Sequence, residues 1–206
     1  MEIACLDLEG VLLPEIWVKF AEATSIAELK ATTRDIPDYD ELMTMRLGIL
    51  DQHGLGVNEI QEVIATLSPL EGAADFLNWL RRRFQVVILS DTFYQFAGPL
   101  MNQLGNPTLL CHNLEIAENG RVVGYKLRQR DPKRQSVIAL KSLYYRIIAA
   151  GDSYNDTSML EEAHAGILFC PPQNVIDEFP QYPVATNYDE FRAEFIKASE
   201  RDISLA

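Results

Sequence analysis

The chain is 206 residues long, 48% apolar and 23% charged, which is the composition of a globular protein with one hydrophobic core and room for a small accessory subdomain. Its formal net charge of −12 argues against nucleic-acid binding, because an acidic surface repels phosphate backbones; an anionic substrate would require a locally held cation, a part that a divalent metal fills. The odd cysteine count (Cys5, Cys111, Cys170), with no CxxC pair or Cys/His cluster, argues against a disulfide framework or a zinc site and fits a reducing compartment. No apolar stretch reaches the roughly 18 residues of a membrane span, and no signal peptide precedes the first strand-like run. The expectation is a cytoplasmic protein without membrane contact.

Residues 3–6 form a short continuous apolar run, the pattern of a strand buried on both faces. Residues 14–70 contain no convincing strand. Three amphipathic stripes fall there instead: Ile16, Phe20, Ala23 and Ala27; Leu42, Met45 and Ile49; Ile60, Val63, Ile64 and Leu67. A helix is predicted from Ala73, Phe76, Leu77, Leu80 and Phe84, then a strand over 86–89, then a helix from Phe93, Phe96, Ala97, Leu100 and Leu104. Two short runs, 114–116 and 121–125, flank Glu118-Asn119-Gly120, a hairpin signal. Asp131-Pro132 reads as a helix start, with Asp as N-cap and Pro in the first turn, continued by Val137, Leu140 and Tyr144. Strands are predicted at 147–150 and, more weakly, at 166–169. Alternating strands and helices predict a doubly wound α/β fold with a mostly parallel sheet, formed by 1–13 and 71–206, with a helical subdomain over 14–70 and a β-hairpin insertion.

The polar residues that follow the buried strands are Asp7-Leu8-Glu9-Gly10, Ser90-Asp91-Thr92 and Gly151-Asp152-Ser153-Tyr154-Asn155-Asp156. In open α/β sheets ligands sit beyond the carboxyl ends of the strands, so these clusters converge on one crevice. Asp7, Glu9, Asp152 and Asp156 would repel one another there, raising their pKa values, unless a hard cation such as Mg²⁺ joined them. Gly10 and Ser90 leave N–H groups and a hydroxyl free for phosphate oxygens. Lys133 lies in the first turn of its helix, where the macrodipole disfavours a cation, which suggests a site that needs its charge.

These residues resemble the four motifs of the haloacid dehalogenase-like phosphohydrolases, in order and across nearly the whole chain: Asp7-Leu-Glu9-Gly-Val, Leu89-Ser90-Asp91, Lys133, and Gly151-Asp152-Ser-Tyr-Asn155-Asp156. The helical segment resembles the family's C1-type cap, and the hairpin is similar to one in the phosphoserine phosphatases. The resemblance implies Asp7 as nucleophile, Glu9 as general acid/base, and Mg²⁺ held by Asp7, Asp152 and the Glu9 carbonyl. It implies phosphate binding by Ser90 and Lys133, with Asp91 and Asn155 near the substrate and Asp156 in an outer shell or beside Lys133. Glu15 and Arg46 match positions that bind the amine and carboxylate of phosphoserine. The chain departs from the usual Asp-x-Asp at Glu9, whose extra methylene reaches about 1.3 Å further. That variant resembles a bifunctional phosphoserine phosphatase/phosphoserine–homoserine phosphotransferase subgroup, in which homoserine replaces water as acceptor, with a place in serine and threonine biosynthesis.

Each residue also has a plainer reading. Asp7, Ser90 and Asp91 are ordinary capping types, Asp152 and Asp156 suit a helix N-terminus, and Glu15 and Arg46 suit a solvated helix face. His53, His112 and His164 stand beside no motif, and Trp17 and Trp79 read as core. The rival functions are a phosphatase for another small phosphomonoester and a phosphoacceptor signalling module; the latter carries its acceptor mid-chain, whereas Asp7 lies at the start. A cap helix or the C-terminal helix offers a surface for a homodimer.

Overall fold

The computed structural model describes residues 1–32, 35–36 and 38–203. Residues 33, 34, 37 and 204–206, which fall inside the two expected regions, lie outside the described residues. A single seven-stranded sheet organises the chain. Its strands are β1 (Glu2–Leu6), β2 (Gln85–Phe93), β3 (Thr108–Ile116), β4 (Val122–Lys126), β5 (Arg146–Gly151), β6 (Ala165–Phe169) and β7 (Val184–Ala185). The spatial order is β4-β3-β2-β1-β5-β6-β7, parallel throughout except for the β3–β4 hairpin.

The continuous apolarity of β1 and β5 follows from helices on both faces. Alternate side chains point to opposite sides. Ala4, Leu6, Ile148 and Ala150 join one hydrophobic cluster, while Ile3, Cys5, Ile147 and Ala149 join the other. The second cluster is closed by α6 (Pro132–Ser142), α7 (Thr157–Glu162) and α8 (Gln173–Glu178) through Val137, Met159, Leu160 and Val175. The first is closed by α4 (Ala73–Arg81), α5 (Tyr94–Gln103) and α9 (Tyr188–Ala198). There Phe76, Phe169, Tyr188 and Phe191 stack with centroids 4.5–5.2 Å apart.

Between β1 and α4 lie α1 (Ile16–Thr24), α2 (Tyr39–Gln52) and α3 (Val57–Ala65). Ile16, Phe20, Met43, Leu50, Ile60 and Ile64 belong to the same cluster as Phe76 and Phe96, so these helices share the sheet's core. The stripe expected from Ile16 to Ala27 is broken. Ser25 adopts a left-handed conformation (φ 57°) that ends α1 and turns the chain, so Ile26 and Leu29 are buried while Ala23 and Ala27 are exposed. On α2 the buried face is Leu42, Met43, Arg46 and Leu50, not Leu42, Met45 and Ile49.

Three other local expectations change. Asp131 precedes α6 in a left-handed conformation (φ 49°), and its carboxylate accepts from the Ser158 hydroxyl instead of capping the helix. The hairpin is present, but its first strand begins at Thr108 and runs parallel to β2 before pairing with β4. Asp156 ends a 3-10 turn over Tyr154–Asp156, ahead of α7, so it and Asp152 do not share a helical face.

The β2–β3 ladder is interrupted where the sequence turns polar. Leu89 pairs with Leu110 and Phe93 with His112, leaving Ser90, Asp91 and Thr92 opposite Cys111 alone. Such a bulge releases side chains at a strand end from the regular alternation. Replacing Phe76 by Ala should destabilise the protein by about 3–5 kcal/mol, read as a lower urea midpoint, because the site of four ring contacts cannot collapse.

Candidate active site

Asp7 extends β1 by one residue, its N–H donating to the Ala150 carbonyl at 2.9 Å. The carboxylate lies at the end of a strand flanked by β2 and β5, the innermost position of the sheet edge. The chain then turns sharply over 8–13, where the Leu12 and Leu13 N–H groups donate to the Leu8 carbonyl. Gly10 is at φ +78°, and a Cβ there would stand 2.5 Å from the Asp152 carboxylate; glycine is required twice over, by conformation and by space.

On the neighbouring strand, a Cβ at Gly151 would lie 2.2 Å from Asp156 Cγ. The missing side chain lets Asp156 fold under the strand end. Its Oδ2 accepts from the Asp152 and Ser153 N–H groups at 2.9 and 3.1 Å, and Oδ1 accepts from Lys133 Nζ at 2.7 Å. Lys133, on the first turn of α6, also contacts Asp7 Oδ1 at 2.9 Å and Asp91 Oδ2 at 3.3 Å. Lys133 and Asp156 are both buried, and Asp156 contacts Lys133 directly while lying close to Asp7 and Asp152.

Carboxylate oxygens of Asp7, Asp152 and Asp156 lie within 4.8 Å of one another, a set suited to a hard divalent cation. Burial raises the Asp7 pKa well above the carboxylate range, Asp156 and Asp152 add to it, and Lys133 opposes. Asp152 rises to about 7 through burial, then Asp156 and Glu15. Glu9 rises to about 7 through burial and Glu15, although its Oε2 accepts from the Ile16 N–H at 2.8 Å, at the start of α1. The Lys133 pKa is raised as well: burial disfavours its charge, but Asp156, Asp7 and Asp91 outweigh that and hold it protonated.

The same crevice opens into a cavity of about 540 Å³ that reaches α1 and α2. Glu15, exposed at the start of α1, and Arg46, buried on α2, face it. The Arg46 guanidinium lies over the Trp17 ring at 4.4 Å and donates through Nη2 to the Ala31 carbonyl at 2.8 Å, while its Nε has no partner among the described residues. Burial lowers its pKa to about 10, which leaves it cationic at neutral pH. A buried guanidinium with an unmet donor is a group awaiting an acceptor.

Asp7, Glu9, Glu15, Arg46, Ser90, Asp91, Lys133, Asp152 and Asn155 all line this cavity; Asp156 lies beneath them. Ser90 and Asp91 do not cap α5, which starts after Phe93 with no side-chain cap; Ser90 Oγ accepts from the Thr92 N–H at 3.2 Å. Asp91 accepts from Asn155 Nδ2 at 3.1 Å. Lys133, His112 and Asn155 hold the Asp91 carboxyl below its usual range in spite of its burial.

His112 corrects the plain reading given above: it is buried, with Nε2 3.7 Å from Asp91 Oδ1. Its signal was hidden because only the second half of β3 carried a hairpin pattern. Trp17 and Tyr39 also line the cavity; their helical spacing alone gave no sign of it. His164 stays structural, its Nδ1 accepting from the Ile147 N–H at 3.0 Å, and Trp79 packs with Phe76 and Arg83. The three cysteines are unpaired, and no described helix is long and apolar enough to cross a membrane.

Comparison with known proteins agrees with this geometry. Residues 1–164 match the haloacid dehalogenase-like hydrolase family model. Over 205 residues the chain is 73% identical to the phosphoserine phosphatase ThrH of Pseudomonas aeruginosa, with both proteins covered completely. It is 70% identical to a phosphoserine phosphatase of Pseudomonas syringae pv. tomato, covering all of this chain and 86% of that one. A crystal structure of an apo phosphoserine phosphatase superposes with a TM-score of 0.75 at 17% identity, over 94% of this chain and 98% of the other, and shows the same fold. The motif order, the Lys133-centred cluster and these matches lead to one conclusion: the chain belongs to the haloacid dehalogenase-like hydrolases, within the phosphoserine phosphatase family.

Proposed function

We propose that this protein is a Mg²⁺-dependent phosphoserine phosphatase that forms an aspartyl-phosphate on Asp7 and also passes the phosphoryl group to homoserine. The observation that carries the reading is the shared cavity. One end holds the Asp7–Lys133–Asp152 cluster and the other holds Arg46 with its unmet Nε donor beside Glu15. A phosphomonoester whose tail bears a carboxylate and an amine matches both ends. The names of the two Pseudomonas relatives point to the same substrate.

The residues fit a divalent cation. Asp7 and Asp152 offer hard oxygen donors within 4.8 Å, and burial followed by the neighbouring Asp156 raises the pKa values of both, a cost that a cation would relieve. Asp7, Asp152 and the Glu9 carbonyl would hold Mg²⁺, which when bound supplies positive charge opposite the phosphoryl oxygens. The chain's own residues do the rest. Lys133, Ser90 and the Glu9 N–H stabilise those oxygens as charge spreads over them; the Gly10 N–H, expected to be free, is instead donated to the Leu13 carbonyl at 2.8 Å. An Asp7 carboxylate oxygen attacks phosphorus in line; the bond from phosphorus to the serine oxygen breaks, and Glu9 gives that oxygen its proton. A carboxyl with a pKa of about 7 is suited to the task, being protonated often enough to donate and ionised often enough to accept. In the second half Glu9 removes a proton from water or from the homoserine hydroxyl as that oxygen attacks phosphorus and frees Asp7.

Segment 14–70 acts as a cap over 1–13 and 71–206. Trp17 holds the Arg46 plane by stacking, and Arg46 and Glu15 read the carboxylate and amine. Asp156 sets the Lys133 ammonium in place and holds the 151–153 backbone through its two N–H acceptances.

Asp7→Asn should abolish phosphoserine turnover, with no hydroxylamine-sensitive acyl-phosphate trapped by acid quench; near-native turnover would exclude the covalent route. Arg46→Ala should raise KM for phosphoserine by about 30-fold, the value of a charged hydrogen-bonded contact, and leave KM for an aryl phosphate nearly unchanged. Product analysis with phosphoserine, Mg²⁺ and homoserine should give phosphohomoserine in addition to inorganic phosphate. Inorganic phosphate alone would confine the enzyme to hydrolysis.

A further inference from the structure

Lys133 Nζ has three N–H bonds to give. In this structure three carboxylates surround it: Asp156 Oδ1 at 2.7 Å, Asp7 Oδ1 at 2.9 Å and Asp91 Oδ2 at 3.3 Å. Of the three, the Asp156 contact is the hydrogen bond; Asp7 and Asp91 pair with the ammonium as close charges, and a phosphoryl oxygen approaching Lys133 competes with them.

The three differ in their freedom to do so. Asp156 is fully buried and pinned by two backbone N–H groups. Asp7 is buried at the end of β1, its backbone continuing the ladder. Asp91 makes the longest of the three contacts, its side chain is 33% exposed, and it stands on the bulge where β2 loses register with β3. Its remaining direct hydrogen bond is from Asn155, itself an exposed side chain.

A receiver stands ready on β3. His112 Nδ1 accepts from the Arg128 N–H at 3.1 Å, which places the proton of the neutral ring on Nε2. That Nε2 faces Asp91 Oδ1 at 3.7 Å, beyond hydrogen-bond length, so a carboxylate movement of about 0.7 Å would close it.

We propose that Asp91 is a displaceable internal competitor for the phosphate-binding ammonium: it pairs with Lys133 at 3.3 Å and swings to His112 when phosphate enters. The inference rests on the phosphoryl-transfer reading above and extends it to two residues. Asp91 and His112 are positioning residues here. The exchange weakens the hold on phosphate and so favours release of inorganic phosphate after turnover.

The test is calorimetric titration of the full chain with inorganic phosphate in Mg²⁺, which reads binding without catalysis. Asp91→Asn, whose neutral amide leaves Lys133 more easily, should bind phosphate about tenfold more tightly than the native protein, the worth of one charged hydrogen bond. His112→Phe should weaken phosphate binding several-fold in the native background and change nothing in the Asp91→Asn background, while His112→Gln, which keeps an N–H donor, should recover much of the loss. Equal or weaker binding by Asp91→Asn would overturn the proposal and make Asp91 a simple support for Lys133. So would a His112→Phe effect of the same size in both backgrounds. If neither the native protein nor Asp91→Asn bound phosphate or phosphoserine, the phosphoryl-transfer reading would fall, and this proposal with it.

Discussion

A buried ammonium cannot stand alone in a protein interior, and neither can a buried carboxylate. Taking either out of water costs several kcal/mol unless a partner of opposite charge meets it in good geometry. Lys133 and Asp156 meet that requirement for one another at 2.7 Å, and much of the site is built around the pair. Gly151 must lack a side chain so that Asp156 fits beneath the strand end. The α6 N-terminus must lie close enough to deliver a lysine against its own macrodipole. Asp7 then pairs with the same ammonium as a close charge at the end of β1.

That arrangement leaves the negative charge in excess. One lysine faces Asp7, Asp91 and Asp156, with Asp152 and Glu9 a short distance away. Carboxylates crowded in this way repel, which adds to the effect of burial in raising the pKa values of Asp7, Asp152 and Glu9. A cation placed among them would relieve that repulsion, which is the electrostatic condition for drawing both a divalent ion and an anionic substrate into an otherwise acidic protein. Composition pointed to this from the start: a chain of net charge −12 has to concentrate positive charge locally to bind phosphate.

The sequence made the catalytic edge legible because the rule for open α/β sheets needs only strand ends and polar residues. Three buried apolar runs placed Asp7, Ser90 and Asp152 correctly, and a continuous run is a clear signal where helices cover both sheet faces. The misreadings have physical causes of the same scale as one turn of chain. Ser25 takes a left-handed conformation that periodicity cannot register, so the stripe from Ile16 to Ala27 does not continue. Arg46 sits on the buried face of α2, where an apolar count passes over it, because its charge is met by Trp17 and the Ala31 carbonyl and by the cavity itself. His112 escaped notice since β3 changes partner midway, from a parallel neighbour to an antiparallel one, and neither half alone shows the whole strand.

The bulge in β2 connects these points. A regular ladder through 90–92 would alternate side chains between the two faces and send either Ser90 or Asp91 away from the crevice. The lost register between Leu89 and Phe93 presents both to the cavity and brings Phe93 back into pairing with His112, the strand residue that faces Asp91. The same irregularity that defeats a simple strand pattern thus places a partly exposed carboxylate beside Lys133. A competitor for Lys133 has to be mobile, and mobility at a sheet edge is available only where the hydrogen-bond ladder is already broken. The Asp156 carboxylate is held by two backbone N–H groups and Asp7 is anchored through its own N–H to Ala150, whereas the Asp91 carboxylate is held by side chains alone, and the chemistry proposed for each follows from that difference.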